Sequence, residues 1–152
     1  MGAAPVRAIA HATWAETGVD ISTMATLIYA DGRRAQMSCA MDAANHRRAT
    51  IMGSQGTLET EYLNHTSVAP GHPYGYLPSE LRMRKGTAFN IPFEAIAAPT
   101  GSGFRFAAET FAAMVGTRDN AKMAFYEAAS HDIAATLEAI AKSARSGYPV
   151  DL

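Results

Sequence analysis

Five histidines, His11, His46, His65, His72 and His131, with Asp20 and Asp42 as carboxylate helpers, are the side chains best suited to metal binding or proton transfer in this sequence. None of the histidine pairs has the close helical spacing of a zinc motif. His65 and His72 share a proline- and glycine-rich stretch with Tyr74 and Tyr76, which flank Gly75. Imidazoles and aromatic rings on such a loop could line a ligand cleft, anchor a subunit contact, or simply pin the loop to its domain. These four are the substrate-loop candidates, against the commoner use of loop histidines as plain surface polarity. No Ser-His-Asp order stands out from chance, so no catalytic, cofactor-binding or metal-binding residue is assigned.

Two serine–glycine clusters invite a nucleophile or a phosphate cradle. In Ile51-Met52-Gly53-Ser54-Gln55-Gly56-Thr57, a nucleophile elbow would need glycine two residues before Ser54, where Met52 stands. A Walker loop would need Gly-Lys-Ser/Thr, and a dinucleotide fingerprint needs three glycines leading into a helix. The reading that remains is a four-residue hairpin loop whose glycines supply special backbone conformations. Gly101-Ser102-Gly103 opens a helix whose free N–H groups could receive an anion, but Phe106 replaces the third fingerprint glycine. A serine cap is the commoner use of such a junction.

The elements around these residues follow from periodicity. Val6 to Trp14 alternates as a strand. Ile21 to Ala30 and Arg33 to Met41 flank Asp31-Gly32, a hairpin dipeptide. Strands are expected at His46 to Met52 and Thr57 to Leu63, where Arg47 and Arg48 fall on opposite faces. Asn64 to Ser79 carries three of the seven prolines and reads as a long irregular excursion. Leu81 to Lys85 and Ala88 to Phe93 form an expected hairpin around Gly86, with Pro92 confining the second member to an edge. Phe104, Ala107, Ala108, Phe111, Met114 and Val115 share a helical face, with Ser102 as N-cap and Gly116 near the stop. A longer helix over Glu127 to Ser146 places Ala129, Ile133, Leu137, Ile140 and Ala144 on one face, and Gly147 ends it.

Strands followed by helices specify an α+β fold: a large, mostly antiparallel β-sheet with helices packed on one face. Compact residues occupy both faces of several strands, and two helices can cover only one. The other face is therefore expected to be open for oligomerisation.

With 152 residues the chain is long enough for one buried core and short for two, so a single domain over 1–152 is expected. Thirteen basic against fourteen acidic residues leave a net charge of -1, which argues against a nucleic-acid partner. Cys39 is the only cysteine, so an internal disulfide is excluded and a reducing, cytoplasmic setting is expected. No apolar run reaches membrane-spanning length and no signal peptide is recognisable.

The succession "GVDISTMATLIYADGRRAQMSCAMDA", then "RRATIMGSQGTLE" and "LEAIAKSARSGYPVDL" resembles the C-terminal domain of the glucose-fructose oxidoreductase, inositol dehydrogenase and rhizopine-catabolism (Gfo/Idh/MocA) family. The likeness runs from Val6 to Leu152 and is weakest in the long loop. Its most specific pieces are Gly53-Ser54-Gln55-Gly56-Thr57 and Ser143-Ala144-Arg145-Ser146-Gly147 followed by Pro149-Val150.

The resemblance implies a sheet with helices on one face and the open face used for subunit association. It also implies NAD(P)-dependent oxidation of a sugar, cyclitol or related small hydroxy compound, with the nucleotide held by an N-terminal Rossmann domain. This chain shows neither the βαβ glycine fingerprint nor the family's Glu-Lys-Pro motif, so no catalytic residue carries over. It is expected to be a C-terminal fragment starting at an introduced Met1, and not catalytically competent by itself. No cofactor is expected in this chain, and NAD or NADP in the full-length parent. The loop with His65, His72, Tyr74 and Tyr76 would supply one wall of the substrate cleft. The alternatives are a stand-alone non-catalytic binding or dimerisation module, and a small independent enzyme or metal protein built on the loop histidines.

Overall fold

In the computed structural model, which describes residues 3–44, 46–60 and 81–152, the chain divides into two compact units. One unit is Met1–Ala44 with Asp119–Leu152; the other is Asn45–Arg118. In chain order the elements are β1 (Arg7–Trp14), β2 (Asp20–Ile28), β3 (Arg34–Ala40), β4 (Ala49–Gly53), β5 (Gly56–Thr60), β6 (Leu81–Lys85), β7 (Glu94–Ile96), α1 (Gly103–Thr117), α2 (Asn120–Ser146) and β8 (Val150–Asp151). The expected α+β class with antiparallel strands is present, its strands forming two four-stranded sheets. Among the described residues, no helix is long and apolar enough to cross a membrane.

In the first unit the strand order is β3-β2-β1-β8, antiparallel throughout. Register sets Ala8 opposite Leu27 and Ala10 opposite Ala25, so alternation sends these four to one face. That face is the core, where they join Tyr29 and, from α2, Ala139 and Ile140. Alanines at the sheet centre leave room for the helix backbone to come close. One position is fixed by a hydrogen bond. Ser143, on the inner side of α2, accepts from the Ala10 N–H at 2.9 Å and donates to the Tyr148 carbonyl at 2.7 Å. The helix then stops at Gly147, whose φ of 74° is the left-handed cap, and Val150–Asp151 pairs with β1. That short strand was absent from the sequence reading, because two residues are too few to show a period.

The β2–β3 turn follows the expected Asp31-Gly32 chemistry. Gly32 has φ of 85°, and Asp31 Oδ1 accepts from the Arg33 N–H at 3.1 Å. Hydrogen bonding by the Arg33 backbone N–H is the main reason that the Asp31 carboxyl titrates below its ordinary range.

Helix α2 begins earlier than periodicity suggested, because Asp119 caps it by accepting from the Lys122 N–H at 3.0 Å. Its 27 residues span about 40 Å, while the eight residues of β1 span about 26 Å. The helix outruns its sheet. Ile140 is buried as expected, but Ile133 and Leu137 on the same predicted face are 60% and 59% exposed.

In the second unit the order is β4-β5-β6-β7. Gly53 and Gly56 pair across the hairpin, leaving Ser54 and Gln55 as its two-residue connection. Only Gly56 needs to be glycine. Its φ is 150°, and a Cβ there would stand 2.1 Å from the Arg84 carbonyl oxygen. The turn is tied to β6 by the Gly86 N–H, which donates to the Gln55 carbonyl at 2.7 Å. The strand expected at Ala88 to Phe93 is displaced to Glu94–Ile96, beyond Pro92, which has no N–H to give a ladder. Helix α1 starts at Ser102, whose Oγ accepts from the Arg105 N–H at 3.4 Å, as the capping reading required. Its expected apolar face is buried only at Met114; Phe104, Phe111 and Val115 are exposed.

Candidate functional site

The four loop candidates, His65, His72, Tyr74 and Tyr76, lie outside the described residues. The other three histidines fall in separate places: His11 on β1, His46 ahead of β4 and His131 on α2. Among the described residues no group of three His, Cys, Asp or Glu side chains could hold a metal. Asp20 accepts instead from the Thr23 hydroxyl at 2.8 Å, and Asp42 is exposed.

The face of the first unit's sheet opposite α2 is the clearest surface for recognition. Alternation opposite to the buried alanines puts Arg7, Ile9, His11 and Thr13 of β1 on it. Register then lines up His11, Met24 and Ser38 in one row, and Ile9, Thr26 and Gln36 in the next. Together these rows line a shallow basin of about 480 Å³. It offers an imidazole, two hydroxyls, a carboxamide and a thioether, a mixture suited to hydrogen bonding over an apolar floor. The cross-strand neighbours of His11 supply no carboxylate, so the basin contains no acid–base pair.

One end of this face is closed by charge. Arg7 Nε donates to Asp151 Oδ1 at 2.6 Å and Arg7 Nη2 to Oδ2 at 3.2 Å, a two-pronged pair between β1 and β8. The Arg7 hydrogen bonds hold the Asp151 carboxyl below the usual carboxylate range. Both side chains remain largely in solvent, so the pair sets register more than it adds stability.

The second unit carries a smaller depression of about 340 Å³, lined by the β4–β5 turn together with Ile51, Leu58, Met83 and Arg84. Ser54 sits at its rim in the two-residue connection. Ser54 does not stand on a strand-to-helix bend of the kind a nucleophile elbow requires.

Sequence reasoning missed the part played by Ser143. Its only signal was the terminal Ser-Ala-Arg-Ser-Gly spelling, because a serine inside a helix adds nothing to an apolar period. Arg145 in the same spelling lies over the Trp14 ring, 5.1 Å from its centroid. The end of α2 is thereby held to β1 by a cation–π contact as well as a hydrogen bond.

No protein-family model matches the chain, and no curated protein matches it. Solved structures do. An aldose-aldose oxidoreductase from Caulobacter crescentus, crystallised with glycerol, aligns with a TM-score of 0.65 at 19% identity over 99% of this chain and 42% of that one. A putative oxidoreductase, yvaA from Bacillus subtilis, aligns with a TM-score of 0.64 at 15% identity over 98% of this chain and 46% of that one. The chain thus has the fold of part of these oxidoreductases and spans less than half their length. At the level of fold this agrees with the family resemblance carried by the sequence.

Proposed function

We propose that this chain is the C-terminal portion of an NAD(P)-dependent oxidoreductase acting on a sugar, a cyclitol or a related small hydroxy compound. In the full-length protein a Rossmann domain would bind NAD or NADP. The present chain would supply part of the substrate cleft and the surface for self-association. The observation that carries this reading is the alignment of nearly all of this chain with less than half of two oxidoreductases. One of those is described as acting between aldoses, which suits a polyhydroxylated substrate. The loop with His65, His72, Tyr74 and Tyr76 remains the proposed cleft wall.

The polypeptide extended by its upstream coding sequence provides the test. It is expected to bind a nicotinamide nucleotide and reduce it with some member of a panel of aldoses, polyols and cyclitols, while the 152-residue chain gives no binding heat with NADH or NADPH. Micromolar binding by the short chain alone, or an upstream region without a glycine-rich βαβ unit, would sink the reading.

A second reading, a stand-alone binding or dimerisation module, is favoured by the open sheet face, where Met24 stands exposed beside His11 and Ser38. Both readings expect association through that face. They part over the nucleotide, which only the first requires.

A further inference from the structure

The charged face of the second unit's sheet contains a cation that its neighbours leave without a carboxylate. Register puts Met52, Thr57 and Arg84 in one row, and Thr50, Glu59, Arg82 and Ala95 in the adjoining one. Arg82 and Arg84 are two apart on β6 and so share a face. Arg82 Nη2 donates to Glu59 Oε2 at 3.1 Å, and its guanidinium lies 5.7 Å from the centre of the Phe93 ring. Arg84 lies closer to the same ring, at 4.9 Å. Among the described residues Arg84 forms no ion pair, and its Nε is shielded from solvent without a hydrogen-bond acceptor. Among the described residues of this face, two guanidiniums and one carboxylate leave one positive charge over.

The aromatic ring explains why Arg84 is held in place, but a ring face is a poor acceptor for Nε. Buried donors without acceptors are rare in folded proteins, and each calls for an ion or a functional role. The backbone beneath Arg84 is also fixed from both sides. Gly56 lets β5 close onto the Arg84 carbonyl, and the Gly86 N–H is bound to Gln55. The backbone support is fixed while the guanidinium can turn on its side chain, and with Thr57 opposite it in the register it can offer a fork to a ligand having two oxygens.

We propose that Arg84, backed by Phe93 and flanked by Thr57, anchors the oxyanion of a small ligand, a carboxylate or a phosphate. The Nε–Nη edge meets two oxygens of the anion, and the Thr57 hydroxyl is placed to donate to one of them. Arg82 adds to the local positive field while staying bound to Glu59. Water does not reach Nε in this conformer, so the anion must turn the guanidinium outward as it binds. This site is independent of the nucleotide-dependent activity proposed above and stands or falls without it.

The probes are inorganic phosphate and malonate, each titrated into the 152-residue chain at constant ionic strength with chloride as the control. The readout is the Arg84 Nε–Hε resonance in a nitrogen-edited NMR spectrum. Saturable movement of that resonance with phosphate or malonate, but not chloride, is the expected result, and the tighter of the two identifies the kind of oxyanion. Arg84→Gln should weaken binding about tenfold or more, and Arg84→Lys should recover only part of it because the fork is lost. The proposal is overturned if neither anion moves the resonance more than chloride does, or if Arg84→Gln binds like the parent. Should Arg84→Gln fail to fold, the resonance of the parent protein decides alone. A response to acidic peptides with none to phosphate or malonate would also overturn it, assigning the face to a protein partner.

Discussion

The hydroxyl of Ser143 joins three pieces of chain: the helix that carries it, the β1 edge at Ala10 and the turn at Tyr148. Strand β8 pairs with Arg7 and Ala8, and beyond them no strand among the described residues receives the N–H groups of that β1 edge. Ser143 takes the place of such a strand. Replacing it by alanine leaves a buried N–H without an acceptor, and Ser143→Ala is expected to lose about 1–3 kcal/mol of stability. Urea denaturation checks this, and a change below about 0.5 kcal/mol would mean that the bonds contribute no more than an ordinary surface contact. The residue was legible in the sequence as spelling but not as physics, because its partners lie far away along the chain. Ser54 is the reverse case. Its flanking glycines suggested chemistry, yet pairing of Gly53 with Gly56 makes them the ends of a hairpin, and only Gly56 has a steric reason to be glycine.

Helix α2 divides energetically where the sheet beneath it ends. Ile140 lies over the alanine-lined strands, whereas Leu137 and Ile133, about one and two turns earlier, face largely outward. Ile140→Ala is expected to cost about 2–4 kcal/mol, and Leu137→Ala less than about 1 kcal/mol. Chemical denaturation of the two variants side by side makes the comparison, and equal losses would show that the outer half of the helix is packed after all. Periodicity recovered the helix, which depends on neighbouring residues alone, but of its expected inner face only Ile140 is buried, with Ala144 packed beside it, while Ala139 and Ser143 were not on that face. It could not show how far the partner sheet extends, which depends on strands more than a hundred positions away. The displacement of β7 past Pro92 has a simpler origin. Pro92 carries the right warning, but apolar alternation over Ala88 to Phe93 concealed where pairing resumes.

For the whole molecule, the order of strands then helices was enough to give α+β architecture, because that order is a property of the sequence. The division of the strands into two sheets was not legible, since pairing between distant strands leaves no local mark. Compact residues on both sides of the strands are the reason to expect association through the face of the first sheet opposite α2. We expect the chain to associate through it. Light scattering should show mass rising with protein concentration, and Met24→Glu, which places a charge on a side chain now 60% exposed, should return the chain to monomer. A parent chain that stays monomeric throughout would contradict the idea. The tail gives this unit one more property. Leu152 donates its N–H to the Val6 carbonyl at 3.1 Å, so the first and last described strands meet at their tips. Pulling the two strands apart must break this bond and the two-pronged Arg7–Asp151 pair before any core residue moves. The sheet with its helix is in this sense a clasp, shut where its first and last strands meet.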